Sequence, residues 1–79
     1  MGYRIEYGDR FKDGLSKIDL SDAQSILLYL NREIGSRDNP RTVGYLDNDY
    51  WKYSTCGKNI LVVIDDEKST ITAVAVKLD

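Results

Sequence analysis

The sequence predicts a single α+β domain: an N-terminal strand, one or two helices, then a three-stranded antiparallel meander. Two observations carry this expectation. Residues 20–35 repeat apolar side chains at helical spacing between a start signal and a stop signal. Residues 50–78 instead break into three strand-like runs joined by short, turn-rich connections. With 79 residues there is room for one core, so one domain spanning 1–79 is expected.

Taken in order, Tyr3-Arg4-Ile5-Glu6-Tyr7 alternates as a short strand does, and Gly8-Asp9 ends it. Asp9 to Ile18 fits one short helical stretch, with Phe11, Leu15 and Ile18 at helical spacing and Gly14 as its weak point. The stretch LSDAQSILLYLNREIG is a clearer helix. Ser21 with Gln24 has the form of a capping box, and Gly35 suits a left-handed position past the helix end. Ala23, Ile26, Leu27, Leu30 and Ile34 form one apolar stripe, with Leu28 and Tyr29 on its flanks. Pro40 then forbids helix continuation.

Tyr45 to Asp49 reads as a strand end or loop with turn chemistry at its tip. Strands follow at about Tyr50–Thr55, Asn59–Asp65 and Thr70–Leu78, joined at Cys56-Gly57-Lys58 and Asp66-Glu67-Lys68-Ser69. Short connections imply antiparallel pairing. Ile60 to Ile64 is apolar on both faces and belongs at the centre of the sheet. In the third strand, strict alternation groups Thr72, Val74, Val76 and Leu78 on one face. Ile71, Ala73, Ala75 and Lys77 fall on the other, smaller and more exposed one. By the same alternation Trp51 and Tyr53 share a face, with Trp51 expected in the core, and Tyr50 and Lys52 share the opposite one.

Composition excludes several chemistries. The chain has no histidine, so a Ser-His-Asp triad, a Cys-His pair and a histidine-ligated metal are ruled out. The lone Cys56 rules out an internal disulfide and reads as a small residue in a hairpin. Acid–base work would fall to carboxylates, lysine or tyrosine. Asp65, Asp66 and Glu67 cluster, yet a turn explains them without a metal, and neither metal nor cofactor is expected. No apolar run is long enough to span a bilayer and the start lacks the layout of a signal peptide, so a cytoplasmic protein is the default expectation. The formal charge of -2 weighs against strong non-specific binding of polyanions.

The order of pieces is informative as a whole. Asn39-Pro40-Arg41, Leu46, Tyr50-Trp51-Lys52-Tyr53, Ile60-Leu61, Ile64-Asp65-Asp66 and Ala73-Val74-Ala75-Val76 follow one another in an order and spacing that resembles the RelE/ParE superfamily of bacterial toxins. The resemblance covers nearly the whole chain and implies a RelE/ParE-like fold. It implies a toxin of a toxin–antitoxin pair, acting by metal-independent cleavage of messenger RNA on the ribosome or by inhibiting gyrase. An antitoxin that wraps the sheet and helices would be its neutralising partner.

Carried over residue by residue, Lys52 takes the place of the phosphate-holding cation, with Arg41 just upstream. Where such nucleases offer an arginine on the next strand, this chain has Asn59 preceded by Lys58. Of the basic or histidine-containing pair usual on the last strand, only Lys77 remains, and the tail bearing a catalytic Tyr or His has no counterpart. The expected catalytic set is therefore Lys52, Lys58, Asn59 and Lys77. Arg41, Tyr45, Tyr50 and Tyr53 are the expected contacts to RNA or to a protein partner. Losing one charge-stabilising donor typically lowers a rate by about 10²–10³, so the scaffold matches better than the active site.

Three functions are in view. A toxin would gather Arg41, Lys52, Lys58 and Lys77 into a positive groove on one sheet face. A non-catalytic binding protein on the same scaffold, such as a phage-encoded anti-defence inhibitor, would instead expose an aromatic patch around Tyr45, Tyr50 and Tyr53. A homodimer would pair through the last strand, against which Lys77 argues mildly.

Overall fold

The computed structural model describes residues 2–78. Two helices lie on one face of a five-stranded sheet in the order β1-β5-β4-β3-β2. The strands are β1 (Arg4–Tyr7), β2 (Tyr45–Asp47), β3 (Tyr50–Thr55), β4 (Lys58–Asp65) and β5 (Thr70–Leu78). The α+β meander of β3, β4 and β5 stands as expected, with β1 added parallel to β5 from Arg4 beside Thr70 to Tyr7 beside Ala73.

The helices are α1 (Asp9–Ser16) and α2 (Leu20–Tyr29). Phe11 of α1 is fully buried, and Leu15 and Ile18 pack against the core. A Cβ on Gly14 would meet Val76 Cγ1 at 2.5 Å, so the glycine that weakens the helix is also what lets it lie close on β5. In α2 the stripe of Ala23, Ile26, Leu30 and Ile34 is buried, whereas Leu28 is 53% exposed and does not widen it. Its last turn loosens to a π turn over Leu30–Ile34, closed by the Gly35 amide donating to the Leu30 carbonyl at 2.7 Å.

Three local expectations are corrected. Helix α2 starts two residues early, with Asp19 rather than Ser21 as its N-cap and no side-chain cap bond. Gly35 is right-handed, at φ -66°, and not a left-handed stop. What it provides is proximity: the Tyr3 amide donates to its carbonyl at 2.6 Å, and a Cβ would crowd Tyr3 O at 3.2 Å. Of the two forms expected for residues 45–49 the strand end is the one found: Tyr45–Asp47 pairs with β3, and Asn48, at φ 57°, turns the chain at its tip.

The third correction concerns β5. Leu61 pairs with Ala75 but Val62 pairs with Ala73, so Val74 is the extra residue of a β-bulge. Strict alternation therefore breaks in mid-strand. Ile71 and Ala73, both fully buried, face the helices, and after the bulge Val76 takes over that role opposite Ile60.

On β3 the core residue is Tyr53, fully buried, while Trp51 is only half-buried. The Tyr53 hydroxyl donates to the Pro40 carbonyl at 2.7 Å, which satisfies the polar end of an otherwise apolar position. The Cys56-Gly57 hairpin has both residues at positive φ, the type I′ geometry that matches strand twist. No helix among the described residues is long and apolar enough to cross a membrane.

Candidate functional site

Among the described residues, the sheet face away from the helices is a broad surface that the strands themselves shape. Register decides which side chains share it, because paired residues project to the same side. Tyr45 pairs with Lys52, Lys52 with Leu61, and Leu61 with Ala75, forming one row across the open face. Ser54, Asn59 and Lys77 form the next row, about 7 Å along the strands. Tyr50 and Val63 lie on the other side of Lys52.

Lys52, Asn59 and Lys77 are thus brought together on the open face by three adjacent strands. Asn59 is oriented by Ser54, whose hydroxyl donates to Asn59 Oδ1 at 2.7 Å. Around the two lysines the face is aromatic and apolar, with Tyr45 66% exposed, Tyr50 37% and Val63 42%.

The other residues expected to join them do not. Lys58 alternates to the helix side, where its ammonium donates to Asp22 Oδ2 of α2 at 3.2 Å and its side chain is 12% exposed. Tyr53 also points to the helix side and is buried, so it offers no contact surface. Arg41 is held at the edge of the core side. Its guanidinium donates two hydrogen bonds to Asp66, at 3.1 and 2.9 Å, and lies 5.9 Å from the Trp51 ring centroid. The four-cation groove is therefore replaced by two lysines and an amide.

The Arg41–Asp66 pair has a third member. The Tyr3 hydroxyl donates to Asp66 Oδ1 at 2.7 Å, so one carboxylate ties together the start of β1, the 3₁₀ turn Pro40–Val43 and the β4–β5 turn. Hydrogen bonding from Arg41, then from Tyr3, holds the Asp66 carboxyl below the usual carboxylate range, and the same carboxylate raises the Tyr3 phenol. Desolvation pushes the Tyr53 phenol up to about 12. Nothing in the sequence links Tyr3 to residue 66, because the pairing exists only once β1 lies beside β5.

Asp65 completes the turn by accepting from the Lys68 amide at 3.2 Å. The acidic cluster is thus used by a turn and an ion pair. Among the described residues no group of histidine, cysteine, aspartate and glutamate is placed to hold a metal.

No protein-family model matches the sequence, and no curated protein does. Solved structures do. A chain of the RelBE2 toxin–antitoxin complex from Mycobacterium tuberculosis superposes with a TM-score of 0.89 at 17% identity, all of both chains being covered. A chain of the intact Escherichia coli RelBE complex gives 0.74 at 17% identity, over 98% of this chain and 96% of that one. A chain of the archaeal RelE–RelB complex from Pyrococcus horikoshii gives 0.77 at 12% identity, over 99% and 96%. The fold is the RelE-like toxin fold.

Proposed function

We propose that this chain is a toxin-like protein of a toxin–antitoxin pair, acting through the open sheet face and neutralised by an antitoxin. The observation that carries this reading is the convergence of Lys52, Asn59 and Lys77 on that face of a RelE-like sheet. Two ammonium groups and an amide donor, set on adjacent strands, suit an RNA phosphate. Tyr45 and Tyr50 beside them provide rings on which bases stack. The substrate is messenger RNA on the ribosome. Lys52 and Lys77 hold the phosphate that is cut, and Asn59 donates to its oxygens. Among the described residues no arginine shares the rows of Lys52 and Asn59 to stabilise the charged transition state, Arg4 lying at the far edge of the sheet paired with Glu6, so cleavage is slow.

A second reading rests on a different observation. Arg41 and Lys58 are spent on Asp66 and Asp22, and the residues most exposed near Lys52 are aromatic and apolar. That surface also fits a non-catalytic inhibitor that binds a protein.

Induced expression in bacteria, followed by translation and transcript mapping in a cell-free system, separates the two. Growth arrest with transcripts cut in the ribosomal A site, lost in Lys52→Ala, supports the nuclease. Arrest without cleavage points to gyrase or another protein target, and a folded protein that neither arrests growth nor cuts RNA overturns the toxin reading.

A further inference from the structure

Of the three polar side chains that the sheet brings together as Lys52, Asn59 and Lys77, only Asn59 has two opposite ends. A lysine ammonium can only donate, whereas a carboxamide donates through Nδ2 and accepts through Oδ1. At a phosphate the first end attracts and the second repels. What Asn59 contributes therefore depends on which end faces the anion.

The β3–β4 hairpin fixes that orientation. Thr55 and Lys58 flank the two-residue turn Cys56-Gly57, which puts Ser54 and Asn59 at the next pair, where antiparallel side chains stand closest. The Ser54 hydroxyl donates to Asn59 Oδ1 at 2.7 Å, a full-strength length for an O–H donor. With its carbonyl end held toward β3, the carboxamide turns Nδ2 and its two N–H donors away from that strand.

Lys77 gives the arrangement a second consequence. It lies cross-strand from Asn59 on the other side and is exposed. A carboxamide released from Ser54 would turn its oxygen to that ammonium and satisfy it in place of a phosphate. Ser54 is itself exposed, but its one proton is committed to Asn59, so it has no donor of its own for an anion.

We infer that Ser54 is a positioning residue of the open-face site, which locks the Asn59 carboxamide with its nitrogen toward a phosphodiester and keeps its oxygen off Lys77. This rests on the proposed RNA reading of that face.

The test is a titration of the isotope-labelled full chain with a fully 2′-O-methylated uridine trinucleotide, which keeps the phosphodiesters of RNA and cannot be cut. Binding is read on the side-chain amide of Asn59 and the backbone amides of Lys52 and Lys77. In the wild type all three should shift to saturation. Ser54→Ala should weaken binding about fivefold at unchanged melting temperature, and Ser54→Thr, which keeps the hydroxyl, should restore it. In an Asn59→Ala background, Ser54→Ala should have no further effect, as befits a residue that acts through another. Two results overturn the inference and leave the RNA reading standing. One is undiminished binding by Ser54→Ala. The other is the same loss in the Asn59→Ala background, which would make Ser54 a contact in its own right. A folded wild type whose Lys52, Asn59 and Lys77 signals ignore the RNA overturns the reading and the inference together.

Discussion

The phenolic oxygen of Tyr53 lies 2.7 Å from the carbonyl oxygen of Pro40, inside the core, and donates to it. This bond anchors the segment that leads into β2. Gly44 closes over the same ring, since a Cβ there would come within 2.7 Å of Tyr53 Cε1. Tyr53→Phe leaves the carbonyl without its donor and should cost about 1–2 kcal/mol in denaturant unfolding. Gly44→Ala must displace the ring and should cost about 1–3 kcal/mol. A neutral result for Gly44→Ala would mean that the loop is less tightly held than its geometry implies.

The same phenol sets a limit at alkaline pH. Its folded-state value is raised from 10.0 to about 12, so the stability it contributes is complete below pH 10 and is lost as pH rises toward 12. Thermal melts across this window should fall more steeply for the wild type than for Tyr53→Phe. Parallel curves would show that another group governs alkaline unfolding.

Asp66 predicts the opposite edge of the pH range. Its carboxyl is depressed by Arg41 and Tyr3, so its contribution is present above the ordinary value of 3.8 and disappears as pH falls through the lower folded-state value. The melting-temperature gap between wild type and Asp66→Asn should be constant near neutrality and close in acid. A gap that persists below both values would point to packing rather than to charge.

Gly14 and Val76 form a pair for a double-mutant cycle. Gly14→Ala gains about 1 kcal/mol of helix propensity but drives a methyl into Val76 Cγ1 at 2.5 Å, and overpacking of this kind costs about 1–3 kcal/mol. The single variant should be destabilised. In a Val76→Ala background, where the obstructing methyl is gone, the same change should be neutral or stabilising. Equal effects in both backgrounds would show that the helix shifts freely.

The lysines divide by face. If the open face engages RNA, Lys52→Ala and Lys77→Ala should each reduce cleavage by about 10²-fold or more with little change in melting temperature. Lys58→Ala should do the reverse, leaving cleavage intact and costing about 1 kcal/mol through the lost Asp22 pair and the buried stem. Loss of activity in Lys58→Ala at unchanged stability would return that residue to the site.

Much of the fold is readable in the chain because local signals agree with it. Turns at Cys56-Gly57 and at Asp66 to Ser69 bound β3 and β5 to the residue, and the apolar stripe of α2 marks the helix layer. What fails to show is what depends on distant contacts. Alternation misassigns the first half of β5, putting the buried Ile71 and Ala73 on the more exposed face, because the bulge at Val74 has no local signature. It places Trp51 and Tyr53 on one face, but only the Pro40 carbonyl and the close approach of Gly44 decide that Tyr53 is the buried one. For the candidate site, the strand positions of Lys52, Asn59 and Lys77 are legible. The removal of Arg41 and Lys58 from that face is not, because Asp66 and Asp22 reach them from other parts of the chain.

The parallel pairing of β1 with β5 has a consequence for synthesis on the ribosome. Strand β5 lies inside the sheet, with β1 on one side and β4 on the other. The first strand to emerge must therefore wait for the last before it gains a neighbour. The helices and the β3–β4 hairpin rest on local contacts, and Tyr7 can already stack on Phe11, but the backbone of β1 stays unpaired until Ile71 and Ala73 arrive. A nascent chain of this kind exposes adhesive edges for most of its translation, and a partner present at that moment would meet a half-built sheet rather than a finished one.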